Sequence, residues 1–106
     1  MTPLVPFKST TTSYRNTRFF QFRVGTCHGL WRVTDDAYEV LAVVNTKKGN
    51  GHFKAAMQWF ERSCRRDSKL LRLCEVFNPW LYYVSVRWYG YKRRKRTLFT
   101  LEKSFA

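Results

Sequence analysis

Apolar and polar residues alternate over residues 18–24, RFFQFRV, and this pattern predicts a strand with Phe20, Phe22 and Val24 on one face. Turn residues follow, and two more strands are expected after them, over 30–34 and 37–44. The last is a nearly continuous apolar run with β-branched residues, which is typical of a strand buried on both faces. We expect these three strands to be antiparallel neighbours.

The period then changes from two to nearly four. After a polar segment that contains glycines, Ala56, Phe60 and Cys64 recur at four-residue steps and predict a helix over about 52–66. Asparagine caps helices and proline fits their first position, so an Asn-Pro pair predicts the start of a second helix. The elements expected after the first helix are a strand over 70–77, a helix over 80–89 that follows Asn78-Pro79, and a strand over 96–102.

This order of elements predicts an α/β (α+β) domain with a mixed, mostly antiparallel sheet. A strand–glycine loop–helix–strand unit is most simply a right-handed crossover that joins parallel strands. Residues 1–17 are rich in Thr, Ser and Pro and have no period, so we expect a flexible N-terminal arm. Residues 18–106 are expected to form a single domain, because a chain of 106 residues has no room for a second core.

The composition adds a strong positive charge to this picture. Twenty Lys and Arg against seven Asp and Glu give +13, while 44% hydrophobic residues exceed what a disordered basic tail contains. No apolar run approaches the ~20 residues of a membrane-spanning helix, and the start of the chain lacks the pattern of a signal peptide. We therefore expect a globular cytoplasmic protein that does not bind membranes.

Cysteine and histidine offer little metal-binding chemistry. Cys27, Cys64 and Cys74 have no C-x-x-C spacing, and His28 and His52 are far apart in sequence. We expect reduced thiols and no metal site.

The densest cationic run is KRRKR at 92–96. A solvated loop and a polyanion-binding surface are both consistent with such a run, since clustered cations release condensed counterions from phosphates. Trp88, Tyr89 and Tyr91 beside it are either core residues or platforms for bases. The candidate residues for a nucleic acid or acidic partner are Arg62, Arg65, Arg66, Lys92, Arg93, Arg94, Lys95 and Arg96.

The glycine loop before the first helix is a candidate phosphate site. A loop that leads into a helix presents unpaired backbone N–H groups at the positive end of the helix dipole. Gly49 and Gly51 would serve a plain turn equally well, and the loop is neither a dinucleotide-binding motif nor a Walker loop.

The segment LAVVNTKKGNG, 41–51, resembles the signature of the GNAT superfamily of N-acetyltransferases. There an apolar strand leads through a short polar link into a loop of the form Q/R-x-x-G-x-G/A; Lys48 takes its first position and Gly51 its first required glycine. The later strands, the helix start at Asn78 and a Gly-Tyr pair at 90–91 follow the family's order. The resemblance covers about residues 18–104, without the family's usual N-terminal strand and first helices.

This resemblance implies a binding site for acetyl-CoA. In the family the strand splays from its neighbour and its backbone accepts the pantetheine arm, while N–H groups of the loop hold the pyrophosphate. Cationic side chains in the loop suit such a polyanion. The residues implied to bind acetyl-CoA are Leu41, Ala42, Val43, Lys47, Lys48, Gly49, Asn50, Gly51, His52, Phe53 and Asn78.

The family often uses a tyrosine as the acid that protonates the departing thiolate. That position is Val86 here, so Tyr82 and Tyr83 are the catalytic candidates, with Ser85 and Tyr89 as alternatives.

Glu39 is the candidate base. By the period of two it shares a face with Leu41 and Val43, where burial would raise the pKa of its carboxyl; a solvent-facing charge is the alternative. His52 is a second candidate base, although a capping or loop role suits its place at a helix start. Phe53 stands where the motif has Gly or Ala, and its ring is expected to crowd the diphosphate.

Three functions remain open at this stage. The first is an acetyl-CoA-dependent N-acetyltransferase whose amine substrate is acidic or associated with nucleic acid. The second is a non-catalytic module of the same fold that binds nucleic acid through its basic face. The third is a small protein that binds an acidic surface of another protein and thereby inhibits it. The short form would suit a virus-encoded member that acts in the host cytoplasm.

Overall fold

The computed structural model describes residues 7–14, 17–47, 49, 51–74, 76, 79–87 and 89–105. This part of the chain folds as a seven-stranded sheet with two helices, an α+β arrangement. The elements are β1 (Lys8–Tyr14), β2 (Thr17–Val24), β3 (Cys27–Val33), β4 (Ala37–Asn45), α1 (His52–Asp67), β5 (Leu70–Leu73), α2 (Pro79–Arg87), β6 (Lys92–Arg93) and β7 (Leu101–Ser104).

The sheet has the order β1-β2-β3-β4-β5-β7-β6. The pairs β1–β2, β2–β3, β3–β4, β5–β7 and β6–β7 are antiparallel, and β4–β5 is parallel, with α1 as the connection between its two strands. The expected mixed, mostly antiparallel sheet is therefore confirmed. No helix in the described residues is long and apolar enough to cross a membrane.

The core lies between α1 and one face of the sheet. Phe60 of α1 is fully buried and makes edge contacts with Phe22 and Trp31. Phe7, just before β1, stacks on Trp59 with the ring centroids 3.7 Å apart. Since aromatic pairs add to the free energy of simple burial, this cluster fixes α1 on strands β2 and β3.

A strand occupies much of the segment that was expected to be an irregular arm. Lys8–Tyr14 forms β1 and pairs along its length with β2. β-branched threonine favours extended backbone, and β2 offers a free edge, so the segment pairs without an apolar alternation of its own.

The later strands also differ from their expected bounds. β5 ends at Leu73 instead of residue 77. The last strand begins at Leu101, because residues 97–100 form part of the loop after β6, where Leu98 is 69% exposed.

β4 contains a bulge that changes which side chains face the core. The β3–β4 register shifts between Leu30, which pairs with Ala42, and Trp31, which pairs with Val40. Leu41 is therefore an extra residue, and a bulge of this kind reverses the alternation that follows it. Val43 consequently packs against the core as Val40 does. The expectation that Glu39 shares a face with Val43 is wrong for this reason, and Val44, 51% exposed, is not buried as expected.

Candidate functional site

A cleft opens where β4 and β5 separate. Their paired residues end at Val40 and Leu73, followed by a hydrogen bond from the Cys74 N–H to the Val40 carbonyl (2.9 Å). The cleft has a volume of about 350 Å³, within the usual range of ligand sites. Its lining, almost entirely apolar, is Val40, Leu41, Ala42, Val43, Phe53, Met57, Leu73, Cys74, Val76 and Leu81.

Glycine makes the bulge at the edge of this cleft possible. A Cβ atom on Gly29 of β3 would lie 2.0 Å from the carbonyl oxygen of Ala42. Any larger residue would push β4 away at the point where its extra residue turns it from β5. The sequence therefore encodes the cleft partly in a strand that does not line it.

The N-terminus of α1 begins with residues suited to an anion. Gly51 is the N-cap with φ +79°, makes no side-chain cap hydrogen bond, and has open space around the position of its missing Cβ. Gly49 has φ +82° and is equally open, Lys47 is exposed, and the first turn holds no acidic residue. Lys48, Asn50 and Asn78, which were predicted to belong to the site, lie outside the described residues.

His52 fastens this loop to the β2–β3 turn. Its Nδ1 accepts a hydrogen bond from the Thr26 N–H (3.0 Å), and the Thr26 hydroxyl, which donates to Asn45 Oδ1 (2.8 Å), lies 3.0 Å away. Because a backbone N–H can only donate, Nδ1 carries no proton in this arrangement. The geometry matches the loop role that was left open for this residue.

Phe53 turns inward. Its half-buried ring packs against the core and lines both the cleft and a second cavity of about 340 Å³ between α1 and α2. The two cavities also share Met57, Leu73 and Leu81, so they adjoin each other. The ring therefore narrows the apolar cleft, whereas the sequence predicted crowding at the diphosphate loop.

Glu39 is held by arginines on the sheet face opposite the core. One carboxylate oxygen is 2.6 Å from Arg32 Nε and the other is 2.6 Å from Arg72 Nη1. Burial by itself raises the pKa of this carboxyl, but the hydrogen bonds and charges of the two guanidinium groups outweigh it, so the pKa is lowered. The raised pKa expected of a general base is wrong.

These ion pairs belong to a row of alternating charges. Arg32, Glu39, Arg72 and Glu102 are cross-strand neighbours on β3, β4, β5 and β7, and Arg72 Nε donates to Glu102 Oε2 at 3.1 Å. Burial lowers the pKa of Arg72, but the hydrogen bonds and charges of Glu39 and Glu102 more than offset this, and the pKa is raised. The geometry gives Glu39 a structural role in joining the two halves of the sheet.

The candidate acids on α2 border a separate cavity. Tyr82 is half-buried and packs against the core, while Tyr83 is 52% exposed. Both line a cavity of about 610 Å³ with Val76, Pro79, Val86, Arg87 and Phe99. This cavity meets the β4–β5 cleft at Val76, which lines both. The structure thus brings the tyrosines beside the cleft and not into its lining.

The cations of the 92–96 run are exposed. Lys92 and Arg93 form β6, and residues 94–96 begin the loop to β7. On α1, Arg62 is exposed, Arg65 lies over the Phe105 ring, and Arg66 pairs with Asp67 (3.0 Å). The α1 arginines therefore differ in how freely they could bind an external anion. Among the described residues, no ion pair includes a cation of the 92–96 run.

Tyr91 is a core residue and not a platform for bases. It is 3% exposed, and its hydroxyl donates to Glu61 Oε1 at 2.9 Å. Burial, together with the charge of Glu61, raises the pKa of this phenol well above its ordinary value. Trp88, the other neighbour considered for stacking, lies outside the described residues, and Tyr89 is exposed.

No disulfide joins the three cysteines, all of which lie in the described part of the chain. Cys27 and Cys64 are buried, and burial raises the pKa of each thiol to about 11, which keeps it protonated and unreactive. Within the described ranges, no group of three His, Cys, Asp or Glu residues is placed to hold a metal ion.

Comparisons of the chain with protein-family models, with curated proteins and with solved structures found no match. The fold and the geometry described above therefore carry the functional argument.

Proposed function

We propose that this protein is an acetyl-CoA-dependent N-acetyltransferase that acts on an amine of an acidic or nucleic-acid-associated substrate. The observation that carries the proposal is the cleft between β4 and β5, which the bulge at Leu41 opens on the side of the sheet that faces α1. A strand that leaves its partner presents main-chain groups to a ligand, and the pantetheine arm has amide groups that can pair with them.

The loop between β4 and α1 fits the other end of the same ligand. It combines positive-φ glycines, an exposed lysine and a helix N-terminus for which the described residues supply no side-chain cap. These features suit a diphosphate, because N–H groups and the helix dipole favour negative charge there. The order of features that resembles the GNAT superfamily supports the same assignment.

Bound acetyl-CoA would supply an acetyl group as a thioester. The acceptor nitrogen forms a bond to the acetyl carbon, the carbon–sulfur bond breaks, the sulfur takes one proton and the nitrogen loses one. Backbone of Leu41–Val43 would orient the arm, and Tyr82, beside the cleft, is the proposed proton donor. Glu39 is ionised and paired at both oxygens. We therefore assign the role of general base to solvent water or to a group outside the row of alternating charges.

The first test is stabilisation by acetyl-CoA in a thermal unfolding assay. A ligand present at ~100 times its Kd stabilises the folded state by about 2.7 kcal/mol. Gly51→Trp should remove this shift, because the indole would occupy the open space at the N-terminus of α1. Gly90→Trp is the matched control: Gly90 has φ +78° and is exposed, and a Cβ there would meet the end of the flexible Lys103 side chain at 3.8 Å, so the backbone strain is similar while the loop is unchanged.

Failure of the wild-type protein to respond to acetyl-CoA would refute the transferase. An equal response of the two glycine variants would refute the loop assignment alone. Tyr82→Phe should lower kcat with little change in the Kd for acetyl-CoA, and an unchanged kcat would remove Tyr82 from the mechanism.

A non-catalytic module of the same fold is the second candidate. The inward Phe53 ring and the lack of a free carboxylate at Glu39 favour it, because both would follow from loss of the chemistry. In that case the protein would bind nucleic acid or an acidic protein surface through its basic face and show no response to acetyl-CoA.

A further inference from the structure

The walls of the cavity beside α2 include exposed apolar side chains. Tyr83, Val86 and Phe99 on its walls are 52%, 41% and 43% exposed. We call this cavity, lined by Val76, Pro79, Tyr82, Tyr83, Val86, Arg87 and Phe99, the Phe99 pocket. Exposed apolar side chains that cluster in a concave surface are a feature of binding sites.

Hydrogen bonds fix the loop after β6, which carries Phe99. The Val76 N–H donates to the Phe99 carbonyl (2.6 Å), which fixes the loop across from α2. At the loop's other end the Arg94 N–H donates to the Thr100 carbonyl (2.9 Å), and the Thr97 hydroxyl donates to the Arg94 carbonyl (2.6 Å). Phe99 is thus presented at the surface by a closed loop with defined hydrogen bonds.

Cations form the rim of the same loop. Arg94, Lys95 and Arg96 precede Phe99 by a few residues, and all three are exposed. Arg87 lines the pocket itself. The ion pairs of the described residues involve Arg32, Arg66 and Arg72, and these rim cations remain available to an external anion.

We propose that the Phe99 pocket and the cations of residues 92–96 bind a single-stranded nucleic acid. Aromatic rings stack on unpaired bases without regard to sequence, while Lys and Arg follow the phosphates. A duplex hides its bases inside the stack and would use only the cations. An acidic peptide would likewise use the cations but gain little from exposed aromatic rings, so the pairing of the two features favours a single strand.

That the bound nucleic acid carries the acceptor amine rests on the proposed transferase function and deepens it. Binding of the nucleic acid itself does not depend on that function. The pocket touches the β4–β5 cleft at Val76, so a group on the bound strand could reach the cleft.

The test measures binding of a fluorescent oligothymidylate, and of a duplex of equal length, at about 50 and about 200 mM salt without acetyl-CoA. The single strand should bind more tightly. Phe99→Ala should weaken single-strand binding about fivefold to 150-fold, the loss typical of one stacked base, and leave duplex binding nearly unchanged. Arg93→Glu with Arg94→Glu should weaken both and reduce the salt dependence.

Arg18→Glu with Arg23→Glu is the matched charge control. Both residues are exposed on β2, near the opposite edge of the sheet from β6, so the net charge changes equally at a distant place. This variant should retain most of the binding. Thermal unfolding of each variant checks that it is folded.

Three results would overturn the proposal: equal binding of single strand and duplex, no effect of Phe99→Ala, or equal losses in the two charge variants. Tighter binding of polyglutamate than of the oligothymidylate at equal charge concentration would also overturn it, in favour of an acidic protein. Because no arm contains acetyl-CoA, these results are independent of whether the transferase proposal holds.

Discussion

Glu39 shows how the environment of one carboxylate decides its chemistry. It lies in the middle of the strand that leads to the cleft, yet the two arginines on its neighbouring strands hold it ionised. Two partners on one buried acid are typical of a structural ion pair, and removing one member leaves the others uncompensated. The residue therefore matters more to stability than to proton transfer.

We expect Glu39→Gln to reduce the free energy of unfolding by about 2–3 kcal/mol, less than a fully orphaned buried charge because Glu102 still pairs with Arg72. Urea unfolding at neutral pH measures the loss. Glu102→Gln, at a more exposed carboxylate, is the control and should cost less. Equal stability of Glu39→Gln and the wild-type protein would show that the row contributes nothing.

The same pair predicts a pH dependence. The pKa of Glu39 is lowered from 4.5 in the folded chain, so its contribution is present above that pH and is lost as the pH falls through the folded-state pKa. As the pH falls into the acid range, the free energy of unfolding of Glu39→Gln should therefore decrease less steeply than that of the wild-type protein. Some acid dependence should remain in it, because hydrogen bonds from Arg66 and Tyr38 lower the pKa of Asp67 to about 2.

At the scale of elements, the cleft depends on the way β3 and β4 fit together. Gly29 accepts the close approach of the Ala42 carbonyl, and the extra residue Leu41 then turns β4 away from β5. Bulges bend strands and re-aim the side chains that follow them. One glycine and one inserted residue thus determine where a ligand could lie.

Gly29→Ala should destabilise the fold by about 3 kcal/mol or more, since the new methyl group would meet a backbone oxygen that cannot turn aside. Urea unfolding measures this. Val33→Ala in the same strand, at a 42% exposed side chain, should change stability by about 0.5 kcal/mol or less. A stable Gly29→Ala variant would show that β3 and β4 are farther apart here.

Strong periodicity made most elements predictable from sequence. The alternation in β2, the four-residue steps in α1 and the Asn-Pro pair before α2 each led to an element of the expected type. β1 was not predictable in this way, because an edge strand of threonines and serines takes its stability from pairing with β2 and not from an apolar face.

The candidate site was predictable only in part. The glycine loop and the apolar strand were visible as a motif, and the structure brings Leu41–Val43 and Phe53 together at one cleft. The bulge was not visible, since Leu41 looks like any residue of an apolar strand. Because the bulge reverses the alternation of side chains, Glu39 was wrongly expected to share a face with Val43. The apolar wall at Phe99 was also missed, because the alternation of residues 97–101 resembled a strand.

At the scale of the whole molecule, an apolar interior is enclosed by a surface with a net charge of +13. Exposed cations repel each other over a Debye length of about 30 Å at 0.01 M salt but only about 8 Å at 0.15 M. Salt also weakens ion pairs, but Glu39 and Arg72 are buried and little screened. Relief of repulsion should therefore be the larger effect, and the free protein should be more stable in salt.

We expect the unfolding temperature of protein free of nucleic acid to rise between these two salt concentrations by about 4–8 °C, which corresponds to ~1 kcal/mol for a domain of this size. The double variant Arg93→Gln with Lys95→Gln should show a smaller rise in unfolding temperature, because it removes two neighbouring charges from the most crowded cationic segment. The control variant Arg23→Gln with Arg62→Gln removes two cations that are far apart. It should reduce the rise in unfolding temperature less, since distant charges already repel weakly. A fall of the unfolding temperature with salt would instead mean that exposed ion pairs dominate, and that the basic surface does not strain the free protein.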